Sequence, residues 1–267
     1  MRHLPALALL LLAAVASRGR EAAKPLDPVS PLTVAGTETA ANLKWDEETR
    51  KKPASEVLKN VQVLKDVPAQ RFMAAMQSMK ATHGVRCDHC HNRENFPSDE
   101  KPPKLMARKM LKMAYSINRD HFKSKTEVTC FTCHRGTVKP ESAVPPGTPA
   151  SPKTKLPTLS AEDGAKPAPQ VWKNIKVMTN VPAGRLVRVM NTFTLVLGVD
   201  CEHCHVDGKW DSDEKKDKET ARQMLRMVDA IAKDHFEGKP MVSCFTCHRG
   251  QDHPPKSAKE VAAAAVL

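Results

Sequence analysis

Eight cysteines stand at 87, 90, 130, 133, 201, 204, 244 and 247, forming four Cys-x-x-Cys pairs with none left over. A histidine follows each pair at once, in the runs CDHCH (87–91), CFTCH (130–134), CEHCH (201–205) and CFTCH (244–248). On a helical turn residues i and i+3 share a face, so each pair presents two sulfurs side by side. Two such thiols can each add to a vinyl group along one haem edge, and the adjacent histidine then reaches under the ring to the iron. The pattern predicts four covalently bound c-type haems, attached through Cys87, Cys90, Cys130, Cys133, Cys201, Cys204, Cys244 and Cys247. His91, His134, His205 and His248 are their proximal iron ligands. Structural zinc would use the two Cys pairs of one region but leave four histidines without a role. A disulfide framework would consume the pairs, and a thioredoxin-like redox pair needs a βαβ setting absent here.

An iron without an open position needs a second axial ligand, for which Met and His are the usual side chains. Met76 and Met190 each lie 11 residues before the first cysteine of a motif, with Gly84 or Gly198 turning the chain back between. That arrangement can fold a helical Met over the face opposite His91 or His205, although a Met on an apolar stripe can equally be core packing. For the haems of His134 and His248 the candidates are Met110 or Met224, Met113 or Met227, and His121 or His235. Met110 and His121 lie 11 residues apart, about three helical turns, and so share a face. Thioether ligation would give a higher potential than two imidazoles. His83, whose counterpart is Leu197, and His253 in the tail read as solvent-exposed, while His89 and His203 are variable positions pointing away from the iron.

The elements that must hold these groups come in two copies. Aligning the chain with itself at an offset of 114 pairs residues 57–136 with 171–250 without a gap, and 38 of the 80 positions are identical. Such self-similarity marks a tandem duplication. Pro68 and Pro182 suit the first turn of a helix, and Gly84 and Gly198 its left-handed end. Phe72, Met76 and Met79 form one apolar stripe there, and Leu186 and Met190 its repeat. A second helix is expected to start near Ser98 or Asp99, and near Ser212 or Asp213, residue types that cap well. Its stripe carries Met106, Met110, Met113, Ile117 and His121, repeated as Met224, Met227, Ile231 and His235. Strand-like alternation is scarce, so the fold class is all-α: a multihaem cytochrome c of two tandem dihaem helical units with little regular strand.

Residues 1–16 read as a signal peptide, with a positive start, an apolar run and Ala14-Val15-Ala16 as cleavage signature, so the protein is expected to be exported to the periplasm. That run is too short to span a bilayer, which leaves at most peripheral membrane association. Residues 17–50 are a flexible extension, 51–136 the first dihaem unit, 137–165 a Pro-rich linker, 166–250 the second unit and 251–267 a tail. Seven Phe, three Trp and one Tyr are few rings for a core, whereas 12 Met can fill gaps against large flat cofactors. The net charge of +12 is spread among acids with no interleaved aromatic platform, so nucleic-acid binding is not expected.

With these residues in view, the chain resembles the tetrahaem cytochrome subunit of photosynthetic reaction centres. The resemblance is carried by NVQVLKDVPA, the Met-bearing helix before CDHCH, ARKMLKMAYSINRD and VTCFTCHRG, with their second copies. It implies Met76 as distal ligand for the haem of His91, Met110 for that of His134 and Met190 for that of His205, with His121 serving the haem of His248. The family's histidine lies slightly nearer its motif than His121 does, and the second copy keeps both Met224 and His235, so that last ligand stays open among the three. The implied role is a non-enzymatic electron carrier that re-reduces a photo-oxidised reaction centre, with core subunits or a soluble electron carrier as redox partners. The alternatives are a general periplasmic respiratory carrier and, from another class, a multihaem peroxidase or reductase, which would need an iron with an open position.

Overall fold

Pro68 and Gly84 bracket the first long helix as their chemistry dictates, and the same pair of signals recurs 114 residues on. The computed structural model describes residues 44–148 and 157–264. The signal segment, residues 17–43 of the extension, linker residues 149–156 and residues 265–267 lie outside the described residues. α1 (Glu47–Lys51) is a helical turn at the end of the stretch expected to be a flexible extension, and α2 (Ala54–Val57), α3 (Ala69–His83), a 3-10 turn (Cys87–His89), α4 (Pro102–His121) and α5 (Cys130–His134) follow within 51–136. α6 (Ala161–Ala165) is a helical turn at the end of the stretch expected to be a linker, α7 (Ala168–Val171), α8 (Ala183–Leu197), α9 (Cys201–Cys204), α10 (Lys216–His235) and α11 (Cys244–Cys247) follow within 166–250, and α12 (Ala258–Ala264) lies in the tail. Among the described residues the only β pairings are isolated bridges, Pro53 with Pro68, Pro167 with Pro182 and Val206 with Lys209, so the fold is all-α.

Two glycines do more than end helices. Gly84 and Gly198 adopt left-handed φ values of 64° and 67°, where a side chain is strained. A Cβ at either would also collide with the carbonyl oxygen of Gly136 or Gly250. That close approach lets the Gly136 N–H donate to the Thr82 carbonyl and the Gly250 N–H to the Val196 carbonyl, each at 2.7 Å. The end of each long helix is thereby tied to the end of a CFTCHRG run, which fixes the second motif of each repeat against α3 or α8.

The helices that follow begin later than expected. α4 starts at Pro102 after Lys101, and α10 at Lys216 after Lys215. Ser98 Oγ accepts instead from the Glu100 N–H at 3.2 Å, and Ser212 Oγ from the Glu214 N–H at 3.2 Å, closing small turns. The Asp99 carboxylate is occupied by Arg108 and Asn60, and that of Asp213 by Arg222, Lys176 and Asn174, so neither is free to cap. Pro102 and Pro103 lose nothing at a helix start, where N–H groups have no partner.

Two apolar clusters organise the packing. Leu64 and Ala75 form one, with Val63, Val67, Phe72, Leu111 and Tyr115 against them. Ile117, Met227 and Ile231 form the other and join α4 to α10, so the second long helices of the two repeats are packed together. Met106, placed on the α4 stripe by its spacing, is 51% exposed and takes no part. Five of the twelve buried apolar residues among the described residues are alanines, a small apolar payload for so many helices.

Candidate haem-binding site

Each motif is wound into a short helical turn. Thr129 caps α5 through a reciprocal pair of bonds with Thr132, and Ser243 does the same for α11 with Thr246. The motifs at 87–91 and 201–205 lack a side-chain cap, but their turns close when the His91 N–H donates to the Cys87 carbonyl (2.9 Å) and the His205 N–H to the Cys201 carbonyl (3.0 Å). The spacing of two sulfurs and an imidazole is thus set locally in all four.

The four motif histidines share one preparation. Nδ1 of His91 lies 3.1 Å from the Phe96 carbonyl oxygen, that of His134 3.0 Å from Thr137, that of His205 2.9 Å from Trp210 and that of His248 2.8 Å from Gln251. A carbonyl can only accept, so Nδ1 carries the proton and Nε2 keeps its lone pair, the tautomer a metal ligand requires. Burial lowers the basicity of His134, His205 and His248, which favours the neutral ring. Phe96 stacks on His91 at 5.2 Å between centroids, and Trp210, the counterpart of Phe96, leans on His205 at 5.6 Å.

Burial also raises the basicity of the Cys90, Cys204 and Cys244 thiols and pushes that of Cys130 up to about 11. Among the described residues no three of His, Cys, Asp and Glu converge into a metal cage. The buried Nε–H groups of Arg135 and Arg249 and the indole N–H of Trp172 have no hydrogen-bond partner. Anionic side groups such as haem propionates are acceptors that suit them. The residues present therefore fit a covalently attached haem and do not fit tetrahedral zinc.

The second motifs of the two repeats meet. Cys133 Sγ and Cys247 Sγ are 3.3 Å apart. Arg135 Nη2 donates to the Cys247 carbonyl at 2.5 Å, and Arg249 Nη2 donates to the Cys133 carbonyl at 2.8 Å, a reciprocal exchange between α5 and α11. This pairing was not legible from the motifs, although the recurrence of Arg after His in both CFTCHRG runs is its trace.

The distal candidates fall into different surroundings. Met76 on α3, Met190 on α8, Met110 and His121 on α4 are half-buried. Met110 and Met190 lie outside both apolar clusters, whereas Met224 and Met113 pack against the Ile117, Met227 and Ile231 cluster and Met227 is part of it. His235 Nε2 sits 2.9 Å from Ser116 Oγ. With that hydroxyl donating to the Met113 carbonyl at 2.9 Å, the His235 tautomer that carries its proton on Nε2 fits the contact and ties the ring to α4. His83 departs from its expected exposure. The tie between Gly136 and Thr82 brings the last turn of α3 onto α5, so the His83 ring lies 4.2 Å from that of His134, while its Nδ1–H donates to the Met79 carbonyl at 2.7 Å. His253 is 93% exposed, as its place in the tail implies.

An all-α chain with four Cys-x-x-Cys-His turns, each holding an imidazole with Nε2 available, is a c-type cytochrome. It belongs to the photosynthetic reaction centre cytochrome C subunit family, whose model matches residues 18–153 and again 148–264. The chain is similar to the photosynthetic reaction center cytochrome c subunits of Rubrivivax gelatinosus (27% identical), Thermochromatium tepidum (29%) and Roseobacter denitrificans (25%). The matches cover 75%, 75% and 78% of this chain and 68%, 61% and 72% of those proteins. Family membership implies covalent c-type haem iron and electron transfer. Among the described residues no helix is long and apolar enough to cross a membrane.

Proposed function

We propose that the protein is an exported tetrahaem electron carrier that delivers single electrons to a photo-oxidised reaction centre. The observation that carries this reading is the identical treatment of His91, His134, His205 and His248, each with Nδ1–H on a backbone carbonyl and Nε2 free. Bound haem supplies an iron that gains and loses one electron at a time. The cysteine pairs fix the ring edges, the carbonyls orient the imidazoles, and the Arg135 and Arg249 exchange holds the two repeats at their second motifs. The approach of Cys133 to Cys247 supports electron exchange between repeats through the centres of His134 and His248.

For the distal positions we assign Met76, Met110 and Met190 to the centres of His91, His134 and His205, and His121 to that of His248. The engagement of His235 by Ser116 and the packing of Met224 in the apolar cluster support this set over its rivals. Residues 1–16 direct export to the periplasm, and the names of the relatives support reaction-centre core subunits as the electron acceptor. The test is flash photolysis of reaction centres mixed with the reduced, haem-loaded protein. Re-reduction of the oxidised pigment at a rate that rises with protein concentration is expected; no acceleration over the protein-free rate would refute the assignment.

A further inference from the structure

Two lysines share an oxygen with a proximal histidine. Lys104 Nζ donates to the Phe96 carbonyl at 2.9 Å, the same oxygen that accepts His91 Nδ1–H at 3.1 Å, and it also donates to the carbonyls of Pro97 (2.9 Å) and Ser98 (2.7 Å). Lys218 Nζ repeats this on the Trp210 carbonyl at 2.8 Å, which accepts His205 Nδ1–H at 2.9 Å, and on that of Ser212 at 2.7 Å. Both ammonium groups are largely withdrawn from water, with side chains 12% and 11% exposed. Among the described residues no lysine bonds to the carbonyls of Thr137 or Gln251, which serve His134 and His248.

Each lysine has a carboxylate nearby, but that charge is taken up elsewhere. Asp99 lies 3.4 Å from Lys104 and only 2.9 Å from Arg108; Asp213 lies 3.7 Å from Lys218, 2.6 Å from Lys176 and 2.9 Å from Arg222. Each cluster keeps a net positive charge beside its histidine. A cation on the accepting oxygen weakens the pull of that oxygen on the imidazole proton, which makes the ring less anionic and a poorer electron donor. It also disfavours the more positive, oxidised state by direct Coulomb repulsion.

We infer that Lys104 and Lys218 are positioning residues that raise the reduction potentials of the centres ligated by His91 and His205. This rests on the proposed ligation by those histidines. It also assigns one tuning device to the first motif of each repeat and none of this kind to the second.

The test is a spectroelectrochemical titration of the haem-loaded protein carrying Lys104→Gln, Lys218→Gln, or Lys→Arg at either position. Lys104→Gln is expected to shift one midpoint downward by roughly threefold to tenfold in the reduction equilibrium, about 30 to 60 mV for one electron, and leave the other three in place. Lys218→Gln is expected to lower a different midpoint, and the Arg variants to hold the wild-type values. Four unchanged midpoints in a folded, fully loaded Gln variant would overturn the inference and leave the lysines as loop clamps. If one copy fails to load when its lysine is changed, the other copy carries the same test. Wild-type protein without attached haem would instead refute the proposed ligation itself.

Discussion

Replacing Gly84 by Ala tests whether the tie between α3 and the second motif positions that centre. At φ 64° an alanine costs about 1 to 2 kcal/mol of backbone strain. The added Cβ collides with the Gly136 carbonyl, so the run must move and the hydrogen bond from Gly136 N–H to Thr82 is weakened or lost, adding about 0.5 to 1.5 kcal/mol. The sum is about 1.5 to 3.5 kcal/mol. Gly147 is the control: it has φ 80° and open space around it, so Gly147→Ala should cost the strain alone. Denaturant unfolding of the haem-loaded variants, followed by visible and far-ultraviolet absorption or dichroism, reads the difference. Equal destabilisation by the two substitutions, or a loss below about 0.5 kcal/mol for Gly84→Ala, would refute the argument.

The Asp99 carboxyl is held down at about 2, chiefly by its hydrogen bond from Arg108 and also by Asn60, so its folded value lies below the ordinary 3.8. Its contribution to stability is present above about pH 4 and is lost as pH falls toward 2; Asp99→Asn should flatten the acid limb of a stability–pH curve there, and an unaltered limb would contradict this. Arg135→Ala and Arg249→Ala each remove a charged donor from the opposite repeat and should destabilise by about 1 to 2 kcal/mol, with the double variant deviating from additivity in a thermal-melt cycle because the two bonds serve one contact. Met76→His should lower one midpoint potential and leave three unchanged in a redox titration, whereas four unchanged values would make Met76 a packing residue.

Much of this molecule is readable before folding because its punctuation is local. Pro68 and Gly84 bound α3 through backbone geometry alone, and each Cys-x-x-Cys-His turn closes on its own hydrogen bonds. The features that local signals miss depend on distant partners. Asp99 has the chemistry of a helix cap, yet Arg108 and Asn60 claim its oxygens and α4 begins three residues later. His83 looks like a polar residue at a helix end, but the Gly136 tie carries it onto His134. Lys104 and Lys218 resemble ordinary surface lysines, and only the carbonyls brought round by the following loop give them a role; their identity in both copies was the available signal.

The most direct test of the whole account is intact-mass spectrometry of the mature, red protein. A mass equal to the processed polypeptide plus four haems, unchanged by acid–acetone extraction, is the expected result. The bare polypeptide mass, or haem released by that extraction, would contradict it.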